Sequence, residues 1–221
     1  MLKNTICVSL CLLVFSGCSI SKSNNYTYIK EEKKSGALSQ SGDVVIKPIY
    51  DSMSTFHGEN TKYIHPHLAN LHWIHNKEDK QFAVVKFNNK FGIINKKSKL
   101  LLKPIYDHIH PFFNGFAKVE ENGKVGLINE SFVVVLKPIY EEVTEFYNEI
   151  AYVKSTSGLF GCIDKSMNIK IKPIFDRIYL ENNNYARVVQ DGKWGFIDNQ
   201  CNIISKPKYD YMFDFSKNIA K

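Results

Sequence analysis

Lys47-Pro48-Ile49-Tyr50-Asp51 is the first of five copies of one motif in this 221-residue chain, and we call it the Lys-Pro motif. The later copies begin at Lys103, Lys137, Lys172 and Lys206. Their prolines, at positions 48, 104, 138, 173 and 207, are separated by 56, 34, 35 and 34 residues. A fixed period of this length indicates a repeat protein, in which each unit buries its apolar face against the next unit.

Two other marks keep a constant distance from the motif. A glycine lies twelve residues before each proline, at Gly36, Gly92, Gly126, Gly161 and Gly195. An alanine lies thirteen residues after four of the prolines, at Ala117, Ala151, Ala186 and Ala220. From Pro48 to Ala83 the same interval is thirty-five residues, so the first repeat contains an insertion of twenty-two residues, 58–79. The sequence thus predicts a regular scaffold that carries one added loop.

The segments between these marks have the pattern of β-strands. In one repeat, 117–120 alternates apolar and polar residues, Asn122-Gly123 is a hairpin turn, and 125–128 and 133–136 follow as strands. Pro138 is expected to end the third strand, because proline has no amide hydrogen for the ladder. The Lys-Pro motif then joins one unit to the next.

These observations predict an all-β chain of tandem three-stranded antiparallel meanders, with a repeat of 34 or 35 residues in every step but the first. We expect the five units to stack as an open β-repeat array. A propeller-like ring is the alternative.

Three groups of residues give the chain a family resemblance. The first are the aromatic-glycine pairs Phe91-Gly92, Phe160-Gly161 and Trp194-Gly195. The second are the dipeptides Ile94-Asn95, Ile128-Asn129, Ile163-Asp164 and Ile197-Asp198. With the Lys-Pro motif, they make residues 26–221 resemble the WG-repeat family, also called KWG repeats. The resemblance implies a β-repeat scaffold without a shared catalytic centre.

The N-terminus has the form of an export signal. Lys3 precedes an apolar run from Ile6 to Phe15, which is too short to span a bilayer as a helix. The order Phe15-Ser16-Gly17-Cys18 resembles a bacterial lipobox, which implies that Cys18 is diacylated and becomes the mature N-terminus. A plain secretory signal cut nearby is the alternative.

This interpretation divides the chain into a lipoprotein signal peptide, a polar tether and a repeat domain. Their predicted bounds are 1–17, 18–25 and 26–221. The N-terminal lipid would hold the protein to a membrane of the bacterial cell envelope. In a Gram-negative cell this would be the periplasmic face of the outer membrane.

The cysteines bear on disulfide formation, and the net charge bears on the class of partner. Cys7 and Cys11 belong to the signal peptide, so Cys162 and Cys201 remain in the repeats, and their positions leave a disulfide open. The net charge is +7, but one lysine of each repeat belongs to the Lys-Pro motif, so the charge is spread along the chain. This spread favours weak attraction to anionic lipid or envelope polymer and argues against nucleic acid.

The motif places one aromatic and one acidic residue at fixed positions of each repeat. The aromatic residues are Tyr50, Tyr106, Tyr140, Phe175 and Tyr209. They predict a buried spine, with an exposed platform for sugar rings or peptide as the alternative.

The acidic residues are Asp51, Asp107, Glu141, Asp176 and Asp210. We expect their carboxylates to bind lysines or turn amides, since single carboxylates one repeat apart do not form a paired acid/base site.

The insertion is the candidate functional segment, because the scaffold does not need it. Residues 66–74 could form a short helix that places His72 and His75 on one face, just after His65 and His67. These four histidines are the candidate ligands for zinc or another divalent metal. The alternatives are a surface loop that packs Trp73 and Ile74 on the scaffold, or a loop that binds a partner through them. His108 and His110, in the next unit, could approach the insertion.

Three functions from different classes follow from this sequence. The first is a lipid-anchored interaction module that displays its repeat surface or inserted loop to an envelope protein or polysaccharide. The second is a metal-binding envelope lipoprotein, and the third is an enzyme. The chain has no Gly-x-Ser-x-Gly motif and no phosphate-binding loop. We therefore favour the first function, and we expect no catalysis, no cofactor and no nucleic-acid partner.

Overall fold

The computed structural model describes residues 19–22, 26–54, 56, 82–182, 185–212, 215–216 and 219–220, and all regular elements among them are β-strands. Sheet 1 contains β1 (Ser19–Lys22), β2 (Tyr26–Glu31), β3 (Lys34–Ser39) and β4 (Val44–Tyr50). Sheet 2 contains β5 (Ser52–Met53), β6 (Phe82–Phe87), β7 (Lys90–Asn95) and β8 (Leu100–Tyr106). Sheet 3 contains β9 (His108–Phe113), β10 (Phe116–Glu121), β11 (Lys124–Asn129) and β12 (Val134–Tyr140).

The remaining strands continue the same arrangement. Sheet 4 contains β13 (Glu142–Val143), β14 (Ile150–Lys154), β15 (Phe160–Asp164) and β16 (Ile169–Phe175). Sheet 5 contains β17 (Arg177–Asn182), β18 (Tyr185–Gln190), β19 (Lys193–Asp198) and β20 (Ile203–Tyr209). A two-stranded sheet of β21 (Phe215–Ser216) and β22 (Ile219–Ala220) follows. The prediction of an all-β chain of tandem antiparallel meanders is confirmed.

Each sheet has the three predicted strands and a fourth strand at one edge. In sheets 2 to 5 this strand begins directly after the acidic residue of the Lys-Pro motif and pairs with the strand that follows it along the chain. In sheet 1 the fourth strand is β1, in which Ser19 pairs with Lys30. Residues 19–22, which fall within the predicted polar tether, thus form the edge strand of the first sheet.

The Lys-Pro motif lies in a β-bulge on the last strand of each sheet. In sheet 3, Val125 pairs with Tyr140 and Leu127 with Leu136, so a two-residue step on β11 faces a four-residue step on β12. The expectation that Pro138 ends the third strand is wrong, because the strand continues to Tyr140. The bulge takes the proline out of the hydrogen-bonded ladder, so no amide donor is required of it.

The bulge explains the glycine that precedes each motif. A Cβ atom added to Gly126 would lie 2.5 Å from the Leu136 carbonyl oxygen and 2.6 Å from the Pro138 nitrogen. Gly195 has equivalent contacts with the bulge of sheet 5. The glycine is thus required by the close approach of two backbones, and the interval of twelve residues is fixed by this crossing.

The same bulge protects an exposed sheet edge. The strand that carries the motif is the terminal strand in the order of every four-stranded sheet. Each motif lysine is exposed, and the proline beside it offers no amide hydrogen to another chain. Lysine, proline and bulges are the devices by which proteins prevent edge-to-edge pairing, so the motif also acts against aggregation.

The predicted aromatic spine is confirmed in four of the five repeats. Tyr50, Tyr106, Tyr140 and Phe175 are all buried, and burial raises the pKa of the three tyrosines. Tyr209 differs, because 43% of its surface is exposed. The motif aromatic is therefore a core residue in the first four sheets and a surface residue in the fifth.

The acidic residues of the motif bind lysines or turn amides, as predicted, and Asp51 and Asp107 bind both. The Lys34 Nζ donates to Asp51 Oδ1 at 2.5 Å, and the amide of Asn89, in the next hairpin turn, donates to Asp51 Oδ2 at 3.2 Å. The Lys34 bond, followed by the Asn89 bond, lowers the pKa of Asp51. Asp107 repeats the arrangement with Lys90 and Asn122. Each such carboxylate ties the sheet that it ends to the turn between the second and third strands of the next sheet.

The described residues fall into two compact units. One contains those up to 122 together with 129–133, and the other contains 123–128 and those from 134 onward. In the first unit a core of Tyr28, Ile46, Tyr50, Val85 and Ile94 joins sheets 1 and 2.

In the second unit Phe175 packs in a core that joins sheets 4 and 5 and includes Ile150, Val188 and Ile197. Cys162 of β15 and Cys201, which follows β19, form a disulfide within this core. The pairing that the sequence left open is therefore present, and it links two successive repeats.

Candidate functional site

The site residues predicted from the sequence lie outside the described residues. These are Cys18 and the members of the insertion, His65, His67, His72, His75, Trp73 and Ile74. His108 and His110 are described, and their ring centroids are 6.4 Å apart. The His110 Nε2 lies 2.6 Å from Glu120 Oε1. Within the described ranges, no three His, Cys, Asp or Glu side chains are grouped so that they could hold a metal ion.

The structure points instead to one face of sheet 5. In an antiparallel sheet, directly paired residues and residues two apart on a strand share a face. Tyr179 pairs with Arg187, and Arg177 lies two residues before Tyr179 on β17. Trp194 pairs with Val189, two residues after Arg187, so it lies on this face too. We call Arg177, Tyr179, Arg187, Trp194 and the nearby Tyr211 the ring face.

The aromatic rings of this face form a row around Arg187. The rings of Tyr179 and Trp194 are stacked, with centroids 5.4 Å apart and planes inclined by 19°. The guanidinium carbon of Arg187 lies 5.7 Å from the Tyr179 centroid and 5.2 Å from that of Trp194. The Tyr211 ring is 6.0 Å from Trp194. These distances are those of aromatic stacking and cation–π contacts.

Hydrogen bonds hold both arginines in place. The Nη1 of Arg187 donates to the carbonyl oxygen of Met212 at 2.8 Å, and the Nη1 of Arg177 donates to the Tyr179 hydroxyl at 3.2 Å. Arg177 is exposed, and Tyr211 exposes 65% of its surface. The ring face therefore presents a cation and aromatic surface to the solvent.

Equivalent positions in other repeats hold different side chains. The position of Tyr179, six residues after the motif proline, is Ser54 in sheet 2 and Thr144 in sheet 4. In those sheets the side-chain hydroxyl accepts a hydrogen bond from a backbone amide, of Val84 or Tyr152 respectively, at 2.9 Å. Sheets 2 and 4 therefore form with a small hydroxyl side chain at this position.

Sequence reasoning missed this face, although the sequence contains a signal for it. Arg177 and Arg187 are the only arginines of the chain, and they lie ten residues apart in the repeat with the one literal Trp-Gly pair. A comparison of the repeats position by position would have isolated them. The strand register that brings Arg187 close to both rings depends on cross-strand pairing that the composition does not reveal.

No helix of the described ranges is long and apolar enough to cross a membrane.

Comparison with known proteins places the repeats in a sequence family. The family model described as WG containing repeat matches five times, at residues 36–61, 91–124, 126–156, 160–194 and 194–221. Curated proteins give no significant match.

Several solved structures resemble the chain at low similarity. Virginiamycin B lyase from Staphylococcus aureus has 16% identity and a TM-score of 0.30, with 88% of this chain and 72% of that chain covered. BamB from Moraxella catarrhalis has 10% identity and a TM-score of 0.30, with coverages of 87% and 61%. The computationally designed Ika8 protein has 9% identity and a TM-score of 0.30, with coverages of 91% and 66%. This chain thus spans about two thirds of the length of the last two structures, and the TM-scores are too low to indicate a shared fold.

Proposed function

Because this chain belongs to the WG-repeat family, we propose that it is a lipid-anchored interaction module of the bacterial cell envelope, which binds its partner through the ring face. The module has no catalytic step and requires no metal or nucleic acid. The observation that carries the proposal is the stack of Tyr179 and Trp194, with the Arg187 guanidinium in contact with both rings. Sheets 2 and 4 have the same strand order with Ser54 or Thr144 at the position of Tyr179, so a four-stranded sheet forms without the rings.

The disulfide supports the part of the proposal that concerns export. Cys162 and Cys201 are both buried and paired with each other. Disulfides persist in the periplasm and outside the cell and are rare in the reducing cytosol. An exported protein with the predicted signal peptide, 1–17, would fold in a compartment where this bond forms.

Strand β1 defines how a lipid on Cys18 would hold the protein. Ser19, the residue directly after Cys18, already pairs with Lys30 in sheet 1. One extended residue spans about 3.5 Å, so a diacylated Cys18 would keep the edge of sheet 1 at the bilayer surface. The anchor would then orient the first sheet instead of holding it on a flexible tether.

Site-specific photo-crosslinking in intact cells tests the binding part of the proposal. A photoreactive amino acid replaces Tyr211 on the ring face, and Tyr147, which exposes 56% of its surface near sheet 4, provides the matched control position. We expect an adduct from position 211 that is absent at position 147. The Tyr179→Thr substitution, which copies Thr144, should abolish the adduct, and removal of 58–79 should leave it unchanged.

Opposite outcomes would reject this assignment. Equal adducts at positions 211 and 147 would mean that the ring face is not selective. Loss of the adduct on removal of 58–79 would assign the partner to the insertion. Anchoring is tested separately with Cys18→Ser, which should move the protein from the membrane fraction to the soluble fraction.

A further inference from the structure

The ring face concentrates the arginines of a chain whose other basic residues are lysines. Of its 29 basic residues, only Arg177 and Arg187 are arginine. A guanidinium is a planar fork that binds a carboxylate or phosphate through two parallel hydrogen bonds, whereas lysine acts as a point charge. Two arginines beside stacked rings therefore indicate a ligand that carries anionic groups on a flat framework.

We infer that the ring face binds an acidic polysaccharide, whose sugar rings lie against Tyr179, Trp194 and Tyr211 and whose carboxylates bind at Arg177 and Arg187. This inference rests on the proposed function and names the chemical class of its partner.

Arg177 is the residue best placed to meet a carboxylate. It is exposed, and its one hydrogen bond among those given above joins Nη1 to the Tyr179 hydroxyl at 3.2 Å. A guanidinium has five N–H donors, so this bond leaves donors for a ligand. The bond also fixes the side chain beside the ring that the sugar would cover, which reduces the entropy lost on binding.

The aromatic row favours a chain of rings as the ligand. Its centroids are 5.4 Å apart between Tyr179 and Trp194 and 6.0 Å apart between Trp194 and Tyr211. The C–H groups on one face of a pyranose pack against an aromatic face, and a polysaccharide presents such faces at regular intervals. An acidic peptide supplies carboxylates without these faces. The spread of lysines along the repeats argues against nucleic acid.

The test uses the full-length chain in detergent and oligogalacturonate, a chain of sugar carboxylates, as the probe in calorimetric titrations. We expect oligogalacturonate to bind and its methyl ester, which lacks the charge, not to bind. The Arg177→Gln variant should lose about tenfold in affinity or more, as expected when a charge-assisted hydrogen bond is removed. Tyr179→Thr should lose the stacking contact and weaken binding to a similar extent.

A matched variant controls for net charge. Lys154→Gln removes a cation that lies 5.8 Å from the Phe160 ring of sheet 4, in the same kind of contact as Arg187 and Trp194. It should bind oligogalacturonate as the unaltered protein does.

Arg177→Gln changes an exposed side chain, so it keeps the test valid if Tyr179→Thr fails to fold.

Three results would overturn the inference. These are absence of oligogalacturonate binding, equal or tighter binding of polyglutamate or of a single-stranded oligonucleotide, and an equal loss in Lys154→Gln. The Arg177→Gln variant is also tested by photo-crosslinking in cells. If it abolishes the adduct while oligogalacturonate does not bind to the unaltered protein, the proposed function stands and the ligand class is wrong. If the adduct itself is absent, the proposed function fails independently of the titration.

Discussion

Sheets 4 and 5 are built on the same backbone plan and differ in the side chains that they expose. In both, a glycine faces the bulge of the last strand. A Cβ atom added to Gly161 would collide with the carbonyl oxygen of Ile171, and one added to Gly195 would collide with that of Ser205. On the faces, Thr144 bonds to the Tyr152 amide in sheet 4, whereas Tyr179 stacks on Trp194 in sheet 5.

The difference separates what the repeat requires from what it permits. The crossing of two backbones leaves no room for a side chain, so the glycine and the motif keep their spacing through all five repeats. The position six residues after the proline has no such constraint, and it holds Ser54, His110, Thr144 and Tyr179 in sheets 2 to 5. In a repeat protein of this kind, unequal residues at equal positions are the place to look for binding.

The largest expected difference between the two sheets concerns the motif aromatic. Phe175 is fully buried in the core that joins sheets 4 and 5, whereas Tyr209 is 43% exposed. Phe175→Ala should lower the free energy of unfolding by about 4 kcal/mol, because it leaves a cavity in the core. Tyr209→Ala should lower it by less than about 1 kcal/mol. Urea titrations followed by circular dichroism measure both, and equal losses would contradict the assignment of Phe175 to a shared core.

The disulfide that links the two sheets should have the next largest effect. Cys162 and Cys201 are 39 residues apart, and a cross-link of this length constrains the unfolded chain. The double variant Cys162→Ser/Cys201→Ser should lose roughly 3 kcal/mol of stability. Dithiothreitol should destabilise the unaltered protein by a similar amount and leave the double variant unchanged. A reductant effect on the double variant would show that the bond is not its target.

The glycines at the bulge should respond alike in the two sheets. Gly161→Ala and Gly195→Ala place a methyl group against backbone atoms that cannot move separately from the strand, so each should cost about 2 kcal/mol or more. Gly158 and Gly192 are matched controls, because they have φ values of +84° and +71° with no atom near the added Cβ. Their alanine variants should cost about 1 kcal/mol, from the backbone strain alone. A lower cost at the bulge than at the turns would refute the close approach as the reason for the spacing.

Sequence reasoning recovered the elements that depend on local pattern and on period. The alternation at 117–120 and the Asn122-Gly123 turn correspond to β10, β11 and the hairpin between them. The lysine and turn-amide partners of Asp51 and Asp107 were predicted from their fixed position.

What sequence reasoning missed depends on how strands pair with one another. In sheets 2 and 4 the fourth strand has only two residues, Ser52–Met53 and Glu142–Val143, and two residues have no periodicity to detect. The passage of β12 through Pro138 requires a bulge, which is a property of two paired strands. The ring face was missed for the same reason, since the cross-strand register of Tyr179 and Arg187 brings its members together.

The smallest expected difference concerns acid stability. In sheet 5, Lys193 Nζ donates to Asp210 Oδ1 at 2.5 Å, and this bond lowers the pKa of Asp210 below its usual value of 3.8. In the preceding repeat, the position equivalent to Lys193 is Leu159, so no such pair forms with Asp176.

Because the pKa of Asp210 is lower in the folded protein, its contribution to stability is present above pH 3.8 and is lost as the pH falls through the folded pKa. The loss of stability below pH 3.8 should therefore be shallower in Asp210→Asn than in the unaltered protein. Lys193→Gln should change the profile in the same way, and the double variant should add nothing further, because both substitutions remove one interaction. The Asp210 side chain is 92% exposed, so the effect should also shrink in high salt. Additive effects of the two substitutions in urea titrations between pH 2 and 6 would show that the two side chains act independently.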